Sequence, residues 1–406
     1  MSLNNINFVS YLPKENFIKY KKLDKKILLN SLSRAKKNLK LNKDVFHSFG
    51  KKFQLNIQLS KLRKFKKFKR IVIIGMGGSI LGSEAINNFL KEKTKKELIF
   101  INNLNFQNIS NINKIKNLKN SFFLLISKSG NTIEVLSIIN SLIKKANFNE
   151  NNTLVITENK QSELNKFAKF RKIKIIHHRS NIGGRYSIFS ETALIPVYFM
   201  GVNIVKLRKN ILNFLFKKKS ILIHNLINLA YIYNSKKINT LVLLNYCPGL
   251  ESFLLWCQQL IAESLGKKGK GIIPVLSIGP RDHHSLLQLY LDGPKDKFFY
   301  IFSSKEKQKV KVVKNLFKDT LNHSSINKVL INQKKAMTSI LKNKKIPFLF
   351  LEIKKRNEET LGELFSYFIL ETIFLGENLK TNPFNQPAVE ELKIITKKNL
   401  FKKIRK

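Results

Sequence analysis

Ile71-Val72-Ile73-Ile74-Gly75-Met76-Gly77-Gly78-Ser79-Ile80-Leu81-Gly82 is the stretch on which the fold turns. Four consecutive β-branched residues suit a strand buried on both faces, as in a parallel sheet. Glycines follow at once, and Ile80-Leu81-Gly82-Ser83-Glu84-Ala85-Ile86 opens a helix. Strand, glycine turn and helix outline an anion site. Glycine lets the backbone approach a phosphate, and the N–H groups of a helix start point at it. A dinucleotide fingerprint would put glycine at position 80, which is Ile, and no Gly-Lys-Ser/Thr ends the loop as in a nucleotide P-loop. A tight βα turn without a ligand is the plain alternative.

Working outward, Leu98–Ile101 and Phe122–Ile126 read as further strands. The second runs straight into Ser127-Lys128-Ser129-Gly130-Asn131-Thr132. Asn131 with Glu134 forms a capping-box pattern for a helix through Ile143. The hydroxyls of Ser127, Ser129 and Thr132, the Lys128 cation and the helix start together suit a dianionic phosphate. Two such turns after parallel strands converge at the carboxyl edge of a sheet. Thr153–Thr157 and Lys172–His177 continue the alternation. Gly183-Gly184-Arg185-Tyr186-Ser187 then sets an arginine in a glycine turn, either as a fixed oxyanion donor or in a surface ion pair.

The pattern restarts at Ile221 with a helical stretch to Ile232. Strands follow at Thr240–Leu244, Ile272–Val275, Phe298–Phe302 and Phe348–Ile353. Between the first two lies a helix whose apolar face carries Phe253, Leu254, Trp256, Leu260 and Ile261. Glu263 sits near its end, with Gln259 one turn earlier to orient the carboxylate. Gly266 and Lys267 stand where a helix stop is expected. A carboxylate there needs partners or a task. Pairing with Lys267 or Lys268 is the structural option.

Gly279-Pro280-Arg281-Asp282-His283-His284-Ser285 precedes another helical run, and His284 is a candidate proton carrier. Neither His283-His284 nor His177-His178 has metal-site spacing. Glu359–Leu375 reads as an apolar helix and Asn382–Pro387 as a turn. A last helix begins at Ala388 and ends in a basic tail, Leu400–Lys406. The fold expected is α/β: two doubly wound domains with parallel-type sheets flanked by helices, plus helical N- and C-terminal extensions. The boundaries are 1–50 for the N-terminal helical extension, 51–215 and 216–357 for the two α/β domains, and 358–406 for the C-terminal helical segment.

The formal net charge of +49 over 406 residues invites a nucleic-acid reading. The excess is mostly Lys, scattered along the chain with Asn, Ile and Phe, residues of A/T-rich codons. A nucleic-acid footprint would be a patch or stripe. Even the basic connector 51–69 reads as a lysine-rich face flanking a strand. No specific nucleic-acid partner is expected, though the charge would draw in small anions. Cys247 and Cys257 read as reduced core residues. No secretory signal pattern and no membrane span is legible, so a cytoplasmic protein with no membrane partner is expected.

In their order, these pieces resemble the glucose-6-phosphate isomerase family, built from two sugar-isomerase-type domains. The matching residues are Gly75-Met76-Gly77-Gly78-Ser79 with Leu81-Gly82, Ser127–Thr132, and Gly183–Ser187. They continue with Gln258-Gln259 through Glu263–Lys267, His284-Ser285, and Gln386-Pro387-Ala388-Val389-Glu390 with Lys393. The resemblance implies that Gly77, Gly78, Ser79, Ser127, Lys128, Ser129, Thr132 and Gln259 bind the sugar phosphate. It implies Glu263 as the base moving a proton between C1 and C2, and Arg185 as the group stabilising a cis-enediolate. His284, reaching in from a partner subunit, and Lys393 would assist ring opening. A homodimer with shared active sites is the family expectation, with no cofactor and no metal.

The chain departs from the family at His283, at Ala388 and over Pro280-Arg281-Asp282. Competing readings are an isomerase that also accepts mannose 6-phosphate, a non-catalytic sugar-phosphate-binding regulator lacking the base, and a nucleic-acid-binding protein. An amidotransferase-type isomerase lacks support, since no cysteine lies near the N-terminus.

Overall fold

The computed structural model describes residues 5–12, 18–305 and 325–400, with side chains of the first helix from residue 25 onward. The basic tail from residue 401 lies outside the described residues.

Two five-stranded sheets carry the architecture. The first contains β2 (Arg70–Gly75), β3 (Glu97–Ile101), β4 (Phe122–Ile126), β5 (Thr153–Glu158) and β6 (Lys174–His178), in the order β3-β2-β4-β5-β6 and wholly parallel. The second contains β1 (Ile6–Tyr11), β7 (Thr240–Asn245), β8 (Ile273–Ile278), β9 (Lys297–Ser304) and β10 (Phe348–Ile353), in the order β1-β10-β9-β7-β8. All its pairings are parallel except β1 with β10. The α/β class read from the sequence is the class observed.

The β2 run is buried on both faces, as its β-branched composition requires. Ile71 and Ile73 face a core shared with the second sheet, while Val72 and Ile74 face a separate outer cluster with Phe123, Leu125 and Val155. Four helices fill the space between the sheets: α2 (Leu81–Phe89), α5 (Glu191–Met200), α7 (Glu251–Leu265) and α9 (Glu358–Asn378). Between α3 (Ile133–Ala146), α4 (Glu163–Phe170) and α5 the chain completes the first sheet, while α6 (Lys219–Ser235) joins the shared core and α8 (Ile326–Asn343) packs Met337 and Leu341 on a separate cluster of the second sheet. Helix α7 packs against both α2 and α9. Its predicted apolar face is fully inside: Phe253, Leu254, Trp256 and Leu260 are each 0% exposed. Trp256 meets Phe365 of α9 edge-on, with ring centroids 4.8 Å apart.

One expectation needs correcting. Residues 1–50 read as helix, and Ile18–Lys40 (α1) is one, but Ile6–Tyr11 is a strand. Its period-two burial, Ile6 and Phe8 inside and Val9 outside, is the strand signature. The run is short and stands beside a long lysine-rich helical pattern, which hid it. It covers the open edge of β10, an edge otherwise free to pair with another chain.

The connector reading holds. In Leu59–Lys67, Leu62 and Phe65 are buried while most of the lysines face outward. Both cysteines are buried. Among the described residues no helix is long and apolar enough to cross a membrane.

Glu371 of α9 is buried beside Tyr300 and Tyr367, and burial pushes its carboxyl up to about 8. The folded state therefore keeps a proton that the unfolded chain releases near 4.5. The group's contribution to stability is complete below that value and is lost as pH rises to about 8. Glu371→Gln is expected to flatten the fall in melting temperature between pH 5 and pH 8, measured against the parent protein.

Candidate active site

The two loops singled out in the sequence emerge side by side. Gly75 at the end of β2 pairs with Ile126 at the end of β4. The sheet order reverses between these strands, and ligands of open α/β sheets bind at such a switch point, beyond the carboxyl ends.

The 127–132 loop is knitted by its own hydroxyls. Ser127 Oγ and Thr132 Oγ1 lie 2.9 Å apart, and Ser129 Oγ is 3.3 Å from the same threonine. Ser127 Oγ also accepts from Gly130 N at 3.1 Å. The expected capping box is absent. Thr132 is the residue before α3 and makes no side-chain cap, so the first-turn N–H groups stay open toward the loop. Asn131 turns away instead, its Oδ1 accepting from Glu163 N at 2.9 Å. The helix start is thus available to an anion. Burial lowers the Lys128 ammonium from its ordinary value, with Glu158 opposing the shift.

The first glycine turn joins this loop to the second sheet's helix. Gly77 has φ +50°, and a Cβ there would stand 2.7 Å from Gln259 Nε2. A Cβ on Gly78 would come within 2.3 Å of Gly184 C and 2.4 Å of Arg185 N. The turn at 77–79, the turn at 183–185 and the end of α7 are therefore in direct contact, which only glycine permits.

Gln259 Nε2 donates to Glu263 Oε1 at 2.9 Å, the orientation read from their spacing. The partner of Glu263 is not a neighbouring lysine. Arg185 NH1 donates to its Oε2 at 3.0 Å. The arginine side chain is 2% exposed and the carboxylate 27%, so the acid keeps an open side. Lys267 instead donates to the carbonyls of Ser264 and Asn382.

The guanidinium makes further bonds that sequence reasoning missed. Nε donates to Ser264 Oγ at 2.8 Å, and NH1 to Gln386 Oε1 at 2.7 Å. NH2 donates to the Pro383 carbonyl at 2.7 Å and the Asn385 carbonyl at 3.2 Å. Tyr186 Oη, fully buried, reaches Ser264 Oγ at 2.8 Å and the Pro383 carbonyl at 2.9 Å. Trp256 Nε1 donates to the Arg185 carbonyl at 2.9 Å. No local pattern links Arg185 to Gln386, since they are 201 positions apart. The signal available was indirect: a buried arginine needs acceptors for five N–H groups.

Two residues named from the sequence are not brought together with Glu263 in one chain. Helix α7 starts beyond the carboxyl end of β7 and runs back along the sheet, so Glu263 lies toward the sheet's amino edge. His284 follows β8 at the opposite edge, roughly 20 Å of strand away, and is exposed. Tyr246 Oη lies 2.5 Å from His283 Nε2, and the buried Asp282 accepts from Ile278 N at 2.7 Å, which fixes that turn. Lys393 lies on α10 (Pro387–Leu400), a helix with no buried side chain, and pairs with Glu390 at 2.6 Å.

A hydroxyl-rich loop and a glycine turn thus meet at a sheet's switch point, beside a carboxylate–arginine pair, in a two-sheet α/β protein. Solved structures share the fold. One is a hypothetical protein from Thermus thermophilus, at TM-score 0.82 and 22% identity over 97% of this chain and all of that one. Another is a glucose-6-phosphate isomerase from Chlamydia trachomatis, at TM-score 0.80 and 16% identity over 98% of this chain and 89% of that one.

Sequence comparison narrows the class. The phosphoglucose isomerase family model matches residues 37–272. Glucose-6-phosphate isomerase of Methanocaldococcus jannaschii is 34% identical over 351 residues, 83% of this chain and 86% of that protein. The Campylobacter jejuni enzyme of that name is 34% identical over 347 residues, 81% of this chain and 84% of that protein. The chain belongs to the phosphoglucose isomerase family, and it is an aldose–ketose isomerase.

Gly78→Ala is expected to drive the 183–185 turn off α7. Overpacking of this kind costs about 1–3 kcal/mol. A lowered melting temperature together with more than tenfold lost turnover would show that this contact positions Arg185. Unchanged turnover would show that it does not.

Proposed function

We propose that the enzyme interconverts glucose 6-phosphate and fructose 6-phosphate by proton transfer through a cis-enediolate. The observation that carries this reading is the contact of the 77–79 turn with Gln259 and Arg185. That contact brings Gln259 and Arg185, the two partners of Glu263, against the first glycine turn.

Removing a proton from carbon α to a carbonyl requires a carboxylate held at that carbon. Glu263 is that base, one oxygen held by Gln259 and the other by Arg185. As the proton leaves, negative charge builds on the oxygens at C1 and C2. A fixed guanidinium stabilises it without reorganising at the moment of reaction. Ser79, Ser127, Ser129, Thr132 and Lys128, with the open helix start and the backbone of Gly77 and Gly78, take the phosphate. Anchoring that remote group orients the sugar for transfer.

Ring opening needs an acid and a base near the ring oxygen. His284 of one protomer serves the site of its partner, since its own Glu263 lies toward the other edge of the sheet. Lys393 enters from α10, which follows the 382–386 turn that Arg185 holds. The active species is therefore a homodimer with shared sites. The exposed apolar side chains of α10, Leu392 at 69% and Ile394 at 67%, favour such an assembly. The setting is cytoplasmic, in glycolysis and gluconeogenesis, and the reaction uses these side chains with no metal or organic cofactor. Conversion of fructose 6-phosphate by purified protein in chelator tests this directly.

Glu263→Gln should lower turnover by a factor of roughly 10²–10⁴ while inorganic phosphate inhibits as before. Near-normal turnover in a coupled assay would reject the base assignment. Mixing inactive Glu263→Gln and His284→Ala proteins under subunit exchange should restore activity, because each hybrid dimer holds one complete site. No recovery, with exchange verified by mass spectrometry, would place His284 outside the partner's site.

A further inference from the structure

Behind the proposed phosphate loop lies an ion triad that joins Lys128 to two groups the isomerisation does not use. Glu158, the last residue of β5, has a side chain 12% exposed between two ammonium groups. Its Oε1 is 3.4 Å from Lys128 Nζ and its Oε2 is 2.5 Å from Lys160 Nζ. The backbone that carries the carboxylate is held in place. Glu158 N donates to the Lys128 carbonyl at 3.1 Å, and Asn165 Nδ2 donates to the Glu158 carbonyl at 3.0 Å. The register partner of Glu158 is His178, 3% exposed, which burial and the nearby Lys128 charge pull down to about 4. A neutral imidazole thus backs the triad. Lys128 Nζ also donates to the Ser180 carbonyl at 3.1 Å.

We propose that Glu158 is a positioning residue that sets the phosphate affinity of the loop. It occupies the Lys128 ammonium as a built-in anion until a phosphate monoester dianion displaces it. Lys160 neutralises the carboxylate after the exchange. This rests on the reading that the 127–132 loop receives the substrate's phosphate. A phosphate that sits unchanged through the reaction is bound equally in ground and transition states. Weakening or strengthening its hold moves KM and leaves kcat nearly alone. In a chain of net charge +49, an unopposed lysine in that loop would also hold free phosphate tightly. Exchanging one anion for another limits that inhibition.

The test uses the full-length enzyme, the KM for fructose 6-phosphate and the inhibition constant of inorganic phosphate. Lys128→Ala comes first, and it should raise both by more than tenfold. If it does not, the phosphate-loop reading itself fails. Given that effect, Glu158→Gln should lower both constants by about three- to tenfold, the worth of one partly screened charge, with kcat within about twofold. Glu158→Asp should stay near the parent, and Lys160→Ala should raise both constants. Unchanged or raised constants in a folded Glu158→Gln protein overturn the proposal. Should that variant fail to fold, unchanged constants in Lys160→Ala overturn it instead.

Discussion

Arg185 is buried with its charge, and the structure is arranged around satisfying it. Five hydrogen bonds leave its guanidinium, to Ser264, Glu263, Gln386, Pro383 and Asn385. That matches the five N–H donors an arginine has. A buried guanidinium with an orphaned donor would be costly, so the two segments supplying acceptors are held together by one side chain. They are the end of α7 and the turn at 383–386; Trp256, also on α7, donates to the Arg185 carbonyl. The same satisfaction gives the cation a fixed direction. A charge that cannot rotate is the kind that stabilises a developing oxyanion.

What could be read from the chain follows from the range of each interaction. Strands buried on both faces write themselves as β-branched runs, and Ile71–Ile74 and Phe122–Ile126 are unmistakable for that reason. Glycine turns are legible because close approach excludes a side chain, as at Gly77 and Gly78. The Gln259–Glu263 bond is legible because helical spacing sets it. The acceptors at 383–386 are not, since nothing within a few residues of Arg185 points to them. The strand at Ile6–Tyr11 escaped because alternation over six residues is a weak signal beside a long amphipathic helix. Asn131 had the right spacing for a cap, but its amide found a better partner in a neighbouring helix.

The charge excess has less structural weight than its size suggests. With 26 acidic residues against 75 basic ones, most lysines have no carboxylate to meet and remain on the surface. The partly buried acids show where charge is under control. Glu263 faces an arginine rather than the lysines near it in sequence, and Glu158 is shared between two lysines. Local geometry, not overall balance, decides which cations touch the loops.

The pairing of β1 with β10 joins Ile6 to Ile353. As the ribosome delivers the chain, every strand of the first sheet is available by residue 178, so that half can assemble early. The edge strand of the other half is made before every other described strand and must wait for the last of them before it has a partner. Until then its amide groups stand open. Biogenesis thus runs against the order of the sequence, and a chain released early would expose a sheet edge that the finished protein covers.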